Sequence, residues 1–82
     1  GTSTVLVPNP VQDLLHVSVS NDRGNYTVRI LDATGRLLSE RSYVDQHGPY
    51  AVPVRELEPG AYLMVLCDPQ GDVQDITPFV KE

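Results

Sequence analysis

Apolar and polar residues alternate in short runs along this chain, and each run closes on Gly, Pro, Asn or Asp. Period-two alternation between turn residues is the pattern of strands, not of helices. The runs predict seven strands, at about 3–7, 14–20, 26–32, 36–44, 49–55, 60–67 and 73–80. Apart from 36–47, no stretch of ten or more residues keeps a helical period free of Pro and Gly, and there Tyr43-Val44 and the alternation of Leu38 with Glu40 favour strand. The fold class expected is all-β. Strand side chains point alternately to opposite faces, which puts Leu15, Val17 and Val19 on one face of the second strand and Tyr26, Val28 and Ile30 on one face of the third. With Leu57, Tyr62, Met64, Leu66, Ile76 and Phe79 they make the expected core.

The first break in the pattern is Val7-Pro8-Asn9-Pro10. Proline donates no ladder hydrogen bond, and the residue before it is driven to extended geometry, so this segment must lie outside any sheet interior. A rigid crossover of that kind suits a β-sandwich, with Asp13 placed to cap the following turn through its carboxylate. A plain loop with two prolines is the alternative. Asp32-Ala33-Thr34-Gly35 reads as a hairpin turn, with Asp accepting backbone N–H bonds and Gly taking positive φ. Glu58-Pro59-Gly60 supplies proline and glycine to a type II turn opening at Leu57, and Asp68-Pro69-Gln70-Gly71 reads as a type I turn. Leu63, Val65 and Cys67 stand out because all three are apolar on the face of the sixth strand where a solvated sandwich is polar. A neighbouring segment covers them, or they form a patch for a partner or a second copy of the chain.

Eighty-two residues make one small domain with no room for a large catalytic cleft. The net charge is −5 and the five arginines never cluster, which argues against nucleic acid or anionic lipid as a partner. No apolar run approaches the roughly 20 residues of a membrane span. The start, Gly1-Thr2-Ser3-Thr4, lacks the regions of a signal peptide, and these residues are expected to be a linker near a cleavage junction or a tag remnant, with the domain proper at 5–82.

Chemistry is sparse. Cys67 is the single cysteine, so no internal disulfide forms, and nothing around it marks an activated thiol for His16 or His47 to serve. The two histidines lack zinc-ligand spacing, and Asp68, Asp72 and Asp75 lack the spacing of a calcium loop. Asn25-Tyr26-Thr27 matches a glycosylation sequon, a short pattern that arises often by chance. No phosphate loop, serine elbow or carboxylate pair is present, so neither catalysis nor a cofactor or metal is expected.

Taken together and in order, Pro8-Asn9-Pro10 with Leu15-His16-Val17, Val28 through Leu38 with its Asp-x-x-Gly turn, and Leu57-Glu58-Pro59-Gly60-Ala61-Tyr62-Leu63-Met64-Val65 resemble the type A C-terminal sorting domain of the type IX (Por) secretion system. The resemblance runs from about Val5 to Lys81. It implies a seven-stranded, immunoglobulin-like antiparallel β-sandwich of Greek-key type at the C-terminus of a larger secreted cargo in Bacteroidota. It also implies passage through the periplasm to the cell surface, recognition by the outer-membrane translocon, and removal by a sortase-like cysteine protease. The positions this assigns to recognition or to the motif are Pro8, Asn9, Pro10, Asp13, Asp32, Gly35, Leu57, Gly60, Tyr62, Phe79, Val80 and Lys81. Leu63, Val65 and Cys67 are the candidates for self-association. Two features depart from the family pattern: the last strand is less basic, ending Lys81-Glu82, and the Leu63, Val65, Cys67 set replaces charge. A carbohydrate-binding or adhesin-like sandwich module is the rival reading, though the chain has no Trp for a sugar platform.

Overall fold

The alternation is realised as seven strands and no helix in a computed structural model that describes all residues, Gly1–Glu82. They are β1 (Thr4–Val7), β2 (Leu14–Val19), β3 (Tyr26–Asp32), β4 (Leu37–Tyr43), β5 (Tyr50–Pro53), β6 (Gly60–Cys67) and β7 (Val73–Lys81). Two sheets form, ordered β1-β2-β5 and β4-β3-β6-β7, and every neighbouring pair is antiparallel. The β1–β2, β3–β4 and β6–β7 connections each stay within one sheet, whereas β2 to β3, β4 to β5 and β5 to β6 cross between sheets, so Pro8–Pro10 is a loop joining two paired strands and not the crossover expected there. The result is a β-sandwich whose two inner faces bury one another.

Inward residues from both sheets form a core of 14 buried side chains. Leu15, Val17, Tyr26, Val28, Ile30, Tyr62, Met64, Leu66 and Phe79 lie in it as the alternation predicts, while Val19 and Leu57 pack against its margin half-buried. Ile76 is a correction: it is 54% exposed. Three positions separate it from Phe79, an odd number, so the pleat turns them to opposite faces. Val11, Tyr43, Tyr50, Val52 and Val54 complete the core. The Tyr50 ring lies 5.8 Å from that of Tyr26 and 5.0 Å from that of Tyr43, an aromatic cluster with tilted and edge-on geometry.

Two turns also differ from expectation. The hydrogen-bonded turn before β6 runs from Val54 to Leu57, and Gly60 has φ 152°, far from the roughly +80° of a type II turn. Asp13 contributes through its backbone, its carbonyl accepting a bond from Val54 N at 2.9 Å.

The four-stranded sheet contains a repeat. Tyr26, Val28, Ile30, Asp32, Gly35, Leu37 and Tyr43 recur in step as Tyr62, Met64, Leu66, Asp68, Gly71, Val73 and Phe79. Each Asp carboxylate accepts two backbone N–H bonds, Asp32 from Thr34 and Arg36 and Asp68 from Gln70 and Asp72. Each turn ends on a glycine of left-handed φ, 89° at Gly35 and 91° at Gly71. The bulges match as well, with Leu31 set against Leu37 and Cys67 against Val73. β3 and β6 meet antiparallel with Arg29 opposite its counterpart Val65, so a local twofold passes between them.

Candidate recognition surface

Because neighbouring strands run in opposite directions, the sandwich has two distinct ends. Val7, Leu14, Asp32, Leu37, Pro53, Gly60 and Lys81 all stand at strand termini of one end. The other end holds the start of β1, the end of β2 and the start of β3. The motif positions separated in sequence therefore converge, and two of the contacts that bring them together span nearly the whole chain.

Pro8, Asn9 and Pro10 are exposed, and the Val7–Pro8 and Asn9–Pro10 peptide bonds are both cis. Between its prolines Asn9 turns its Oδ1 to accept a bond from Val80 N at 2.9 Å. Val11 follows with 0% exposure, its N donating to Val80 O at 2.9 Å and its O accepting from Glu82 N at 2.8 Å. Val11 and Lys81 thus make a short parallel bridge, and the Pro-Asn-Pro loop is docked on the last strand. Lys81 pairs with Gly60 and Phe79 with Tyr62, whose rings stack at 5.7 Å. The Tyr62 hydroxyl donates to Glu58 O and ties the turn to its own strand. Pro8–Pro10, Gly60–Tyr62 and Phe79–Lys81 adjoin through these bonds, with Pro8–Pro10, Gly60, Ala61 and Val80 exposed and Tyr62, Phe79 and Lys81 buried beneath them, and with Asp13 and Leu57 in the adjoining connections at the same end.

The Asp32–Gly35 turn stands at that end too, since Asp32 pairs with Tyr62. Hydrogen bonds from Thr34 and Arg36 and the charge of Arg36 outweigh desolvation and hold the Asp32 carboxyl below the usual carboxylate range.

Leu63, Val65 and Cys67 face outward on β6, yet Val65 and Cys67 are buried and Leu63 is half-buried. β6 is a central strand, flanked at Leu63 by Leu31 and Pro78, at Val65 by Arg29 and Ile76, and at Cys67 by Thr27 and Val73. Covering by neighbouring strands is the outcome, and the large apolar residues left exposed on this face are Leu37, Val73, Ile76 and Val80.

At the opposite end a second clasp, absent from the sequence-based expectations, joins the β2–β3 and β4–β5 loops. Asp22 accepts from Gly48 N at 2.7 Å, from Gly24 N at 2.8 Å and from the Tyr50 hydroxyl, with His47 Nδ1 at 3.6 Å. Burial opposes its ionisation, but the bonds from Gly48, Tyr50 and Gly24 win and hold its carboxyl below the usual value. Burial and the same carboxylate push the Tyr50 phenol well above its own. The Asp-Arg-Gly stretch at 22–24 signals a local turn, but nothing in it announces Gly48 or Tyr50 as partners. A lone valine directly after two prolines was the available signal for Val11 as an anchor.

Compared with known protein families, residues 5–76 match the secretion system C-terminal sorting domain. The chain belongs to that family. It is a C-terminal sorting signal of the type IX secretion system, which implies fusion to a cargo and export to the cell surface or extracellular space. Neither the curated proteins nor the solved structures give a match. Phe79, Val80 and Lys81 lie past the matched residues, yet in the sorting domain they pair with Tyr62, Ala61 and Gly60 inside the match.

Proposed function

We propose that the end of the sandwich formed by Pro8–Pro10, Gly60–Tyr62 and Val80–Lys81 is the face read by the type IX translocon, with the cargo leaving from the other end. The supporting observation is the docking of Asn9 and Val11 on Val80, which locks the first loop to the last strand. A signal that travels on unrelated cargoes must present one surface every time, and backbone held by long-range hydrogen bonds does so better than flexible side chains. β1 enters from the opposite end, at Thr4, so an upstream cargo is directed away from the read face. A sortase-like cysteine protease then cuts before β1, around or upstream of Gly1–Thr4, after the cargo has crossed the periplasm and reached the surface. The domain supplies no catalytic group or cofactor to these steps.

The experiment fuses residues 1–82 to a periplasmic reporter in a host with the secretion system. Deleting the last five residues would also remove the buried Phe79, so exposed positions are the better probes. Val80→Glu and Pro8→Ala are expected to lower surface reporter several-fold while the domain still unfolds cooperatively. Export equal to that of the unaltered fusion in both variants overturns the assignment of this face.

A further inference from the structure

The four sheet edges are not equally available to another chain. On β7 the groups that turn away from β6 belong to Ile76, Pro78 and Val80, as the outward bonds of Val80 establish by alternation. Val80 is consumed by Asn9 and Val11, and Pro78 has no N–H. β1 turns only Thr4 and Leu6 away from β2, a short edge, and its Thr4 hydroxyl is bonded to Asp75 and Thr77 of β7, at 2.7 Å each. On β5 the outward residues are Ala51 and Pro53, because Val54 N bonds inward to Asp13 O; the Ala51 carbonyl is taken by the Tyr43 hydroxyl and Pro53 has no donor. β4 is different. Its register repeats that of β7, so Glu40 and Ser42 turn outward as Ile76 and Pro78 do, and neither makes a backbone bond outside the β3 ladder. Where β7 carries a proline, β4 carries a serine with its N–H free.

Beside this edge lies a groove of about 420 Å³ whose apolar residues are Leu38, Pro53, Val54 and Leu57, with Ser39, Arg55 and Glu56 completing its lining. Arg41 shares the inward face with Val28 on this edge strand and is exposed. Neither Arg41 nor Arg55 has a carboxylate partner, the ion pairs of the chain being Arg29–Glu40, Arg36–Asp32 and His47–Asp22. In a chain of net charge −5, this edge and groove set two unpaired arginines, Arg41 on β4 and Arg55 in the lining, against the one carboxylate of Glu56, a local excess of positive charge that favours an acidic occupant.

We propose that β4 is a strand-addition site for an extended acidic segment of a partner protein, which bonds to the main chain of Glu40 and Ser42, sets carboxylates beside Arg41 and Arg55, and seats an apolar side chain over Leu38 and Leu57. Backbone bonds supply affinity and the alternate side chains supply selectivity. The inference rests on the export reading only for the source of that segment, the secretion machinery.

The test titrates isotope-labelled residues 1–82 with the blocked heptapeptide Thr-Glu-Thr-Val-Thr-Glu-Thr and follows backbone amide shifts. Saturable shifts confined to Leu37–Tyr43 and the groove are expected, with about tenfold or greater weakening in the double variant Arg41→Glu, Arg55→Glu and in the peptide with lysine for glutamate. Ser42→Pro copies what Pro78 already does at the matching register, and is expected to abolish binding with the spectrum still dispersed. Shifts that map to β1, β5 or β7, no shifts at millimolar peptide, or equal binding of the lysine peptide overturn the proposal. Should Ser42→Pro unfold the domain, the arginine reversal decides. Binding is read without secretion, so its failure leaves the export reading standing, and failed export leaves the binding result standing.

Discussion

The β3–β4 and β6–β7 hairpins share their turn chemistry, glycine conformation, bulge and register, yet they serve the molecule differently. On the outer face the first crosses Arg29 to Glu40 at 2.7 Å, whereas the second places Val65 beside Ile76. The second strand of the first hairpin ends on Tyr43, whose hydroxyl reaches Ala51, and leads into the loop that Asp22 clasps. The second strand of the other runs on past Phe79 to Val80 and Lys81, where Asn9 and Val11 take it. Equal local chemistry thus yields one edge that is open and one that is closed. What differs is the chain that packs against each, so the functional surface arises from the departure from symmetry.

The largest expected effect comes from the matched ring positions. Phe79→Ala is predicted to cost about 3–5 kcal/mol, enough to unfold much of a domain this size, whereas Tyr43→Phe, which keeps the ring and loses the bond to Ala51, costs about 1 kcal/mol; urea unfolding separates them. Next is the clasp: Asp22→Ala leaves the Tyr50 hydroxyl and two N–H groups without their acceptor, at about 1–3 kcal/mol. Because the Asp22 carboxyl is held below its ordinary value of 3.8, the stability it adds is complete above that pH and drains away as pH falls through the lowered value. Asp22→Asn should therefore flatten the acid limb of a stability-versus-pH curve without abolishing it, since Asp32 is lowered too.

Gly35→Ala and Gly71→Ala test the symmetry directly, each placing a Cβ at left-handed φ with open space around it, for about 1–2 kcal/mol apiece. A marked inequality in thermal midpoints would break the equivalence of the turns. Asn9→Ala is predicted to cost about 1 kcal/mol and to speed amide exchange at Val80 while leaving β4 unchanged. Smallest is Arg29→Ala, which breaks an exposed ion pair and should shift the urea midpoint least of all, by an amount that added salt diminishes further.

The strands and both Asp-x-x-Gly turns were legible from the residues because every interaction that makes them is local: a carboxylate reaches N–H groups two and four positions on, and a glycine supplies its own φ. The family resemblance named positions in Pro8–Pro10, Gly60–Tyr62 and Phe79–Lys81 as separate features, and spacing along the chain could not show that they touch. It misplaced Ile76 by grouping it with Phe79 against the pleat, and it left the outer face of β6 undecided because burial there depends on Arg29, Ile76 and Pro78. The in-step recurrence of Tyr26, Asp32 and Gly35 at Tyr62, Asp68 and Gly71 was a usable signal for the repeat.

Alternation and turn chemistry by themselves determined that this chain is all-β, where its strands begin and end, and which two hairpins it makes, since these depend on neighbours a few bonds away. Only the tertiary structure decided that Asn9 would meet Val80, that Asp22 would meet Tyr50, and that the end of β7 would be covered while β4 received no such cover. Those outcomes hang on which sheets stack and in what order, and contacts across dozens of residues leave no mark in the spacing of the residues that make them.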